Sequence, residues 1–297
     1  MGSVFAASLA RGGADVLLVD VSPALVDRLN GDGLHLDGPD GHQQLAVRAT
    51  TSPVEHGPVD AVFFFVKCHQ TRAAAELARP LVNAETAVVS LQNGWGNGDV
   101  LADAYAADQL VVGVTYIAAT VTGLAQVAYT GNGPTLVGPW TAAGEALADR
   151  VAGWLRADGL GVDRPDDIRT AVWRKLVLNA ATLPTAALTR LAAGPLGAHT
   201  DMREIVDAAT QEAVAAGRAQ GFALDEQERR DAIASVLAGA GDGKGSMLQD
   251  VEAGRRTEID VISGAVLRAA DAHGVDVPVT RALYGLVKGL EAGAELR

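Results

Sequence analysis

The hydrophobic pattern of the chain changes period near residue 166. Before that point apolar residues come in short runs bounded by Gly, Pro and Asp. Val16–Val19, Val59–Val66, Ala87–Leu91, Leu110–Thr115, Gln126–Tyr129, Thr135–Val137 and Gly161–Arg164 have the length and β-branched content of strands. Between them lie helical stretches at residues 1–11, 23–29, 68–82 and 142–155. The run Val59–Lys67 predicts a fully buried parallel strand, and Gly33–Leu36 and Leu45–Thr50 predict short extended segments around Asp-Gly turns. After residue 166 the period is helical throughout, predicting helices over Ile168–Leu191, Asp201–Gln220, Glu226–Leu237, Gly254–His273 and Arg281–Ala292. The pattern thus predicts an α/β domain over 1–165 and an all-helical domain over 166–297.

The opening segment narrows the first domain further. A small-residue helix ending at Gly12-Gly13, followed by Val16-Leu17-Leu18-Val19-Asp20, is the second half of a Rossmann-type dinucleotide-binding βαβ unit. The first strand and most of the glycine loop are missing, and only Gly2 matches the last loop glycine. The expectation is a chain begun at an internal methionine, with a longer form binding cofactor better. Asp20 sits where a carboxylate accepts hydrogen bonds from an adenosine ribose and repels a 2′-phosphate, which leans to NAD. It is equally placed, with Ser22, to cap the helix that begins at Pro23. Lys67 falls at the carboxyl end of its strand, where ligands of doubly wound sheets bind, or is a solvated residue ahead of a helix. Asn93 ends the next strand and is suited to bonding a carboxamide or ketone, or to shaping a turn with Gly94.

In the helical half, Lys175 and Asn179 stand four residues apart and point from one face. A remote stretch, Ser246-Met247-Leu248-Gln249-Asp250 followed by Thr257-Glu258-Ile259-Asp260, offers a hydroxyl and carboxylates to such a lysine. Read singly, Lys175 is a snorkelling surface residue, Ser246 a helix cap and Glu258 part of a solvated helix face.

Composition removes several classes. The net charge of -12, from 24 basic and 36 acidic residues without a basic cluster, argues against nucleic-acid binding. Apolar runs fall far short of the ~20 residues of a membrane helix, so a soluble chain is expected. One cysteine, Cys68, excludes an internal disulfide and suits a reducing, cytoplasmic setting; six histidines show no metal-ligand spacing, and no metal is expected.

Val66-Lys67, Leu91-Gln92-Asn93-Gly94, Gly113-Val114-Thr115, Trp173-Arg174-Lys175-Leu176 with Asn179, and Ser246–Asp250 spaced before Gly254–Asp260 together resemble the ketopantoate reductases from end to end. The resemblance implies hydride transfer from a nicotinamide cofactor, usually NADP, to the ketone of a branched 2-oxo acid in pantothenate and coenzyme A biosynthesis. It implies Lys175 as proton donor, with Glu258 orienting Lys175 or the cofactor ribose. It places Asn93, Asn179 and Ser246 on substrate, and Gly2, Asp20, Lys67, Asn93, Ala119 and Glu258 on cofactor. The chain departs from the family pattern at Leu183 and Ala193, where asparagines are usual, at Gly243, and at Ser263-Gly264, where an Asn-Gly pair is usual; ketopantoate stays the leading substrate, with a more apolar 2-oxo acid as the alternative. A non-catalytic nucleotide-binding paralogue is the remaining alternative, and a homodimer through the helical domain is the expected assembly.

Overall fold

The structure is a computed structural model that describes residues 1–130 and 133–295. The last two residues of the expected 166–297 domain lie outside the described residues. The chain forms two compact units, one of Met1–Gln92 with Asn97–Ile168 and one of Asn93–Gly96 with the residues from Arg169 onward.

The first unit contains, in chain order, α1 (Gly2–Arg11), β1 (Leu17–Val19), α2 (Pro23–Asp32), β2 (Leu34–Gly38), β3 (Gly41–Leu45), β4 (Arg48–Thr50), β5 (Ala61–Phe64), α3 (Thr71–Ala78), β6 (Ala87–Ser90), α4 (Asn97–Ala102), β7 (Leu110–Thr115), β8 (Ala118–Gly123), β9 (Gln126–Thr130), β10 (Thr135–Pro139), α5 (Glu145–Arg156) and β11 (Val162–Asp163). β1 pairs in parallel with β4; β5, β6 and β7 run parallel, followed by antiparallel β10 and then β11. β3, β2, β9 and β8 make a further four-stranded sheet. Helices α1 and α5 bury Phe5, Ala7, Val151 and Leu155 against Leu34, Val89 and Val111. Ser22 caps α2 by accepting from the Leu25 amide, with Pro23 at the first helical position.

Three expectations need correction here. The strand after Val59 is only Ala61–Phe64, and Ala61, Val62 and Phe63 are half-buried rather than fully buried, because β5 ends the order of its sheet. The segment Leu45–Thr50 is not one element: β3 closes a hairpin with β2, and β4 leaves to pair with β1. Strand β8 escaped the reading because Ala118, Thr120, Val121 and Thr122 are exposed, so no alternation marks it.

The second unit contains α6 (Ile168–Thr189) from Arg169 onward, α7 (Ala193–Ala198), α8 (Thr200–Ala219), α9 (Glu226–Gly239), α10 (Ser246–Glu252), α11 (Ser263–His273) and α12 (Pro278–Glu295). Its core packs Trp173, Leu176, Val177 and Ala180 of α6 against Ala209 and Ala213 of α8 and Val266 and Ala270 of α11. Pro184 lies inside α6 instead of ending it; the helix runs on because Ala186 and Ala187 remain buried in that core. Glu212 of α8 caps α12, accepting from the amides of Val279 at 2.9 Å and Thr280 at 2.7 Å. Glu212→Ala should lower the stability of this unit by about 1–3 kcal/mol, seen as a lower Tm with unchanged nucleotide affinity.

The expected helix Gly254–His273 is broken. Residues 254–258 are irregular, Ile259–Val261 is a 3-10 turn, and α11 starts only at Ser263. Thr257 causes the break. Its amide and hydroxyl donate to Glu291 at 2.8 and 2.7 Å, and its hydroxyl also accepts the Ile259 amide at 3.2 Å, giving the backbone partners that a helix would otherwise supply.

Candidate active site

Trp173 fixes the rotation of α6. Its indole is fully buried, donates to the Ala213 carbonyl at 3.2 Å, stacks on Phe222 and meets Trp95 edge-on, with ring centroids 5.1 and 5.4 Å away. Gly217 on α8 leaves room for it, since a Cβ there would overlap the ring. Lys175, two residues on, is turned by about 200° away from that anchor. Its Nζ donates to Asn93 Oδ1 at 2.8 Å.

Asn93 reaches Lys175 because the segment Asn93–Gly96 packs with the helical unit. The Trp95 amide donates to the Val261 carbonyl at 2.8 Å, and the Arg169 guanidinium lies over the Trp95 ring at 5.4 Å. Gly94 lies between them at φ +86°, and a Cβ on it would come within 2.5 Å of the Val261 oxygen. Only glycine suits both the dihedral and the approach.

The carboxylate whose charge acts on Lys175 is Glu258. It is 7 % exposed, so the solvated helix face expected for it is overturned. Its loop is held by Thr257 on Glu291, and Lys288 donates to the second Glu291 oxygen at 2.8 Å. Burial pushes the Glu291 carboxyl up, but hydrogen bonds from Lys288 and Thr257 outweigh it and keep it below its ordinary range. Burial lowers the Lys175 ammonium to about 8, and the negative charge of Glu258 works against that fall. A partly buried cation whose pKa is lowered to about 8, beside a buried carboxylate, is an arrangement that can release a proton near physiological pH.

Asn179, one turn beyond Lys175, is 7 % exposed, and none of the described residues hydrogen-bonds its amide. Ser246 is the first residue of α10 after Gly245, so Gly245 and not Ser246 is the cap; the Ser246 hydroxyl also has no partner among the described residues. Leu183, a further turn along α6, packs directly against Gly245.

The residues assigned to cofactor sit in the first unit, apart from Asn93 and Glu258. Gly2 opens α1, and Lys67 is close enough to the amino end of that helix for its charge, after burial, to depress the Met1 amino group. Asp20 follows β1 and accepts the Ser22 amide at 2.8 Å, so Ser22 takes the cap and the other Asp20 oxygen is left without a partner among the described residues. Ala119 is half-buried on β8 opposite Tyr129, in a different sheet from either. Among the described residues no group of three or more His, Cys, Asp or Glu could hold a metal ion, and no helix is long and apolar enough to cross a membrane.

The structural roles of Gly94, Thr257 and Glu291 are not encoded in any local pattern. Asn93-Gly94 does signal a turn, but the Val261 contact and the Glu291 clamp bring together residues more than 30 positions apart and leave no local trace.

Comparison with known proteins identifies the lineage. Residues 1–142 match the family model described as ketopantoate reductase PanE/ApbA, and residues 167–291 match its C-terminal counterpart. The 2-dehydropantoate 2-reductase of Archaeoglobus fulgidus is 32 % identical over 294 residues, covering 99 % of this chain and 95 % of that protein. This chain belongs to the ketopantoate reductase family. A second relative of the same name, from Halobacterium salinarum, is 32 % identical and covers 97 % of this chain and 95 % of its own length. The fold of the family is also evident in solved structures. The 2-dehydropantoate 2-reductase from Geobacter metallireducens superposes with a TM-score of 0.91 at 28 % identity, covering 97 % of this chain and 96 % of that one. A D-mandelate dehydrogenase in ternary complex with NADH and anilino(oxo)acetate superposes at 0.95 with 26 % identity, covering 99 % and 96 %. The family architecture, a Rossmann-type α/β domain followed by a helical domain, is the one present here.

Proposed function

We propose that this chain is a 2-dehydropantoate 2-reductase that converts ketopantoate to pantoate, with Lys175 as its proton donor. The observation that carries the reading is the partly buried Lys175 ammonium, its pKa lowered to about 8, bonded to Asn93 and under the charge of Glu258 in a member of this family. Binding alone requires no such group, so a non-catalytic paralogue is disfavoured.

A bound nicotinamide supplies the hydride that adds to the ketone carbon. The protein's part is to take up the charge that develops on the oxygen. Lys175 donates a hydrogen bond to that oxygen and then its proton, in a site where low polarity strengthens the interaction. Asn93 holds the ammonium in place through its Oδ1 atom. The unpartnered amide of Asn179 and hydroxyl of Ser246 are suited to the 2-oxo acid's carboxylate and carbonyl oxygens. Glu258 keeps Lys175 protonated by offsetting part of the burial cost.

The first unit, close to the expected 1–165, is read as the dinucleotide domain, and the helical unit as the substrate domain. The amide end of α1 with Gly2, and Lys67 beside it, suit a pyrophosphate. The unpartnered Asp20 oxygen suits a ribose hydroxyl, and no arginine occurs between Asp20 and Arg28. NADH is therefore the expected cofactor over NADPH, and the family resemblance adds Ala119 to the residues expected to touch it. The lone Cys68 suits a cytoplasmic setting, and a homodimer through the helical unit is the expected assembly.

Initial rates of NADH and NADPH oxidation with ketopantoate test both readings. Turnover with NADH favoured about tenfold or more, and a collapse of that preference in Asp20→Ala, is expected; equal rates would remove the role given to Asp20, and no turnover with either would remove the function.

The pH dependence follows from the sign of the Lys175 shift. The acid form is needed, so kcat/KM should be flat below about pH 8 and fall as the ammonium deprotonates above it. Glu258→Gln removes the charge that raises the Lys175 pKa and should move this limb to lower pH, whereas a purely structural role would lower rates at every pH equally.

A further inference from the structure

Helix α6 sets Lys175, Asn179 and Leu183 at four-residue intervals, so they form one stripe that drifts by about 40° per step. The chemistry along it changes from ammonium to amide to hydrocarbon. Asn179 is 7 % exposed and its amide has no partner among the described residues, which marks this stripe as facing a ligand. Beyond it several polar groups are already engaged with one another. Thr182 and Thr185 donate their hydroxyls to the Leu178 and Ala181 carbonyls at 2.8 and 2.9 Å. The carbonyls of Gly243 and Gly241 accept the amides of Ala193 and Gly194, the Lys244 ammonium is bound by Glu252, and the Gln249 amide donates to the Lys244 carbonyl. Leu183 Cδ2 lies 2.8 Å from where a Cβ on Gly245 would be, so the leucine fills the space beside the residue that precedes Ser246.

We propose that Leu183 makes the far end of this substrate site apolar, so that branched 2-oxo acids whose tail carries no hydroxyl are reduced at least as efficiently as ketopantoate. The inference rests on the reductase reading above. The step is the same for both acids: the reduced nicotinamide gives a hydride to C2 and is oxidised, the C=O double bond becomes a single bond, and Lys175 supplies the proton to the oxygen. What differs is the tail. A terminal hydroxyl placed beside Leu183 gives up its water and gains no hydrogen bond from the leucine in return, whereas a methyl group there gains contact.

Ketopantoate and 3,3-dimethyl-2-oxobutanoate test this directly, because they share one carbon skeleton and differ by a single hydroxyl. In the wild-type protein kcat/KM for the hydroxyl-free acid should equal or exceed that for ketopantoate. Leu183→Asn, which restores a donor and an acceptor at the tail, should swing the ratio toward ketopantoate by roughly tenfold or more. A wild-type preference for ketopantoate, or an unchanged ratio in a folded Leu183→Asn protein, would overturn the proposal while leaving the reductase intact. Turnover of neither acid would instead overturn the reductase reading. Leu183→Gln is the second variant should Leu183→Asn melt early, and the wild-type ratio decides if both do.

Discussion

Replacing Lys175 by methionine lowers kcat for 2-oxo acid reduction by about 10²–10⁴-fold at pH 7, the contribution usual for a positioned general acid. The substitution keeps the unbranched stem along α6 and removes only the ammonium, so packing against the helical core is preserved. The loss has two parts. The proton must then come from water, and the oxygen loses the positive charge that would meet it in a buried site; one such interaction is worth about 3–4 kcal/mol in acyl-transfer enzymes. Nucleotide affinity should change by less than about threefold, because the groups assigned to the dinucleotide phosphates and ribose are Gly2, Lys67 and Asp20 of the first unit. The descending limb near pH 8 should vanish with the side chain that causes it. Single-turnover rates and a fluorescence titration with NADH separate the two effects. A variant retaining more than a tenth of wild-type kcat would show that another group delivers the proton.

How much of this site was legible beforehand depended on the distance over which each feature is encoded. The pairing of Lys175 with Asn179 follows from the helical period alone, and α6 extends over Ile168–Thr189 much as that period requires. Asp20 and Lys67 were placed by strand ends, which short apolar runs reveal well. Glu258 was different. The stretch Gly254-Arg255-Arg256-Thr257-Glu258 is polar enough to read as a solvated helix, and only Glu291 on α12, by taking both donors of Thr257, pulls it out of helical geometry and turns Glu258 inward. Edge position has the same non-local character. The residues of β5 are as apolar as those of β6, yet three of the former, Ala61, Val62 and Phe63, are half-buried and all of the latter are buried, because sheet order and not composition decides burial. Strand β8 shows the converse, a real strand hidden by an exposed face.

The second large effect is expected at Gly94, where adding one methyl group should lower the stability of the helical unit by about 2–5 kcal/mol. Two costs combine. A non-glycine residue in the left-handed region carries about 1–2 kcal/mol of strain, and overpacking against rigid backbone adds about 1–3 kcal/mol. The added Cβ would lie 2.5 Å from the carbonyl oxygen of Val261, which already accepts the Trp95 amide and cannot swing away without breaking that bond. If the segment yields instead, the displacement passes straight to its neighbour. Asn93 then moves off Lys175 Nζ, a contact now 2.8 Å long, and kcat falls because a donor misplaced by about 1 Å loses on the order of 100-fold. Gly94→Ala should therefore show a Tm depressed by at least several degrees, a depressed kcat, or both. A protein with neither change would mean that residues 93–96 are held more loosely than the Trp95, Arg169 and Val261 contacts imply. Asn93→Ala separates the two routes, since it removes the hydrogen bond to Lys175 without touching the dihedral of Gly94. Its kcat should fall while its Tm stays close to wild type, and any larger loss of stability in Gly94→Ala then belongs to the backbone contact with Val261.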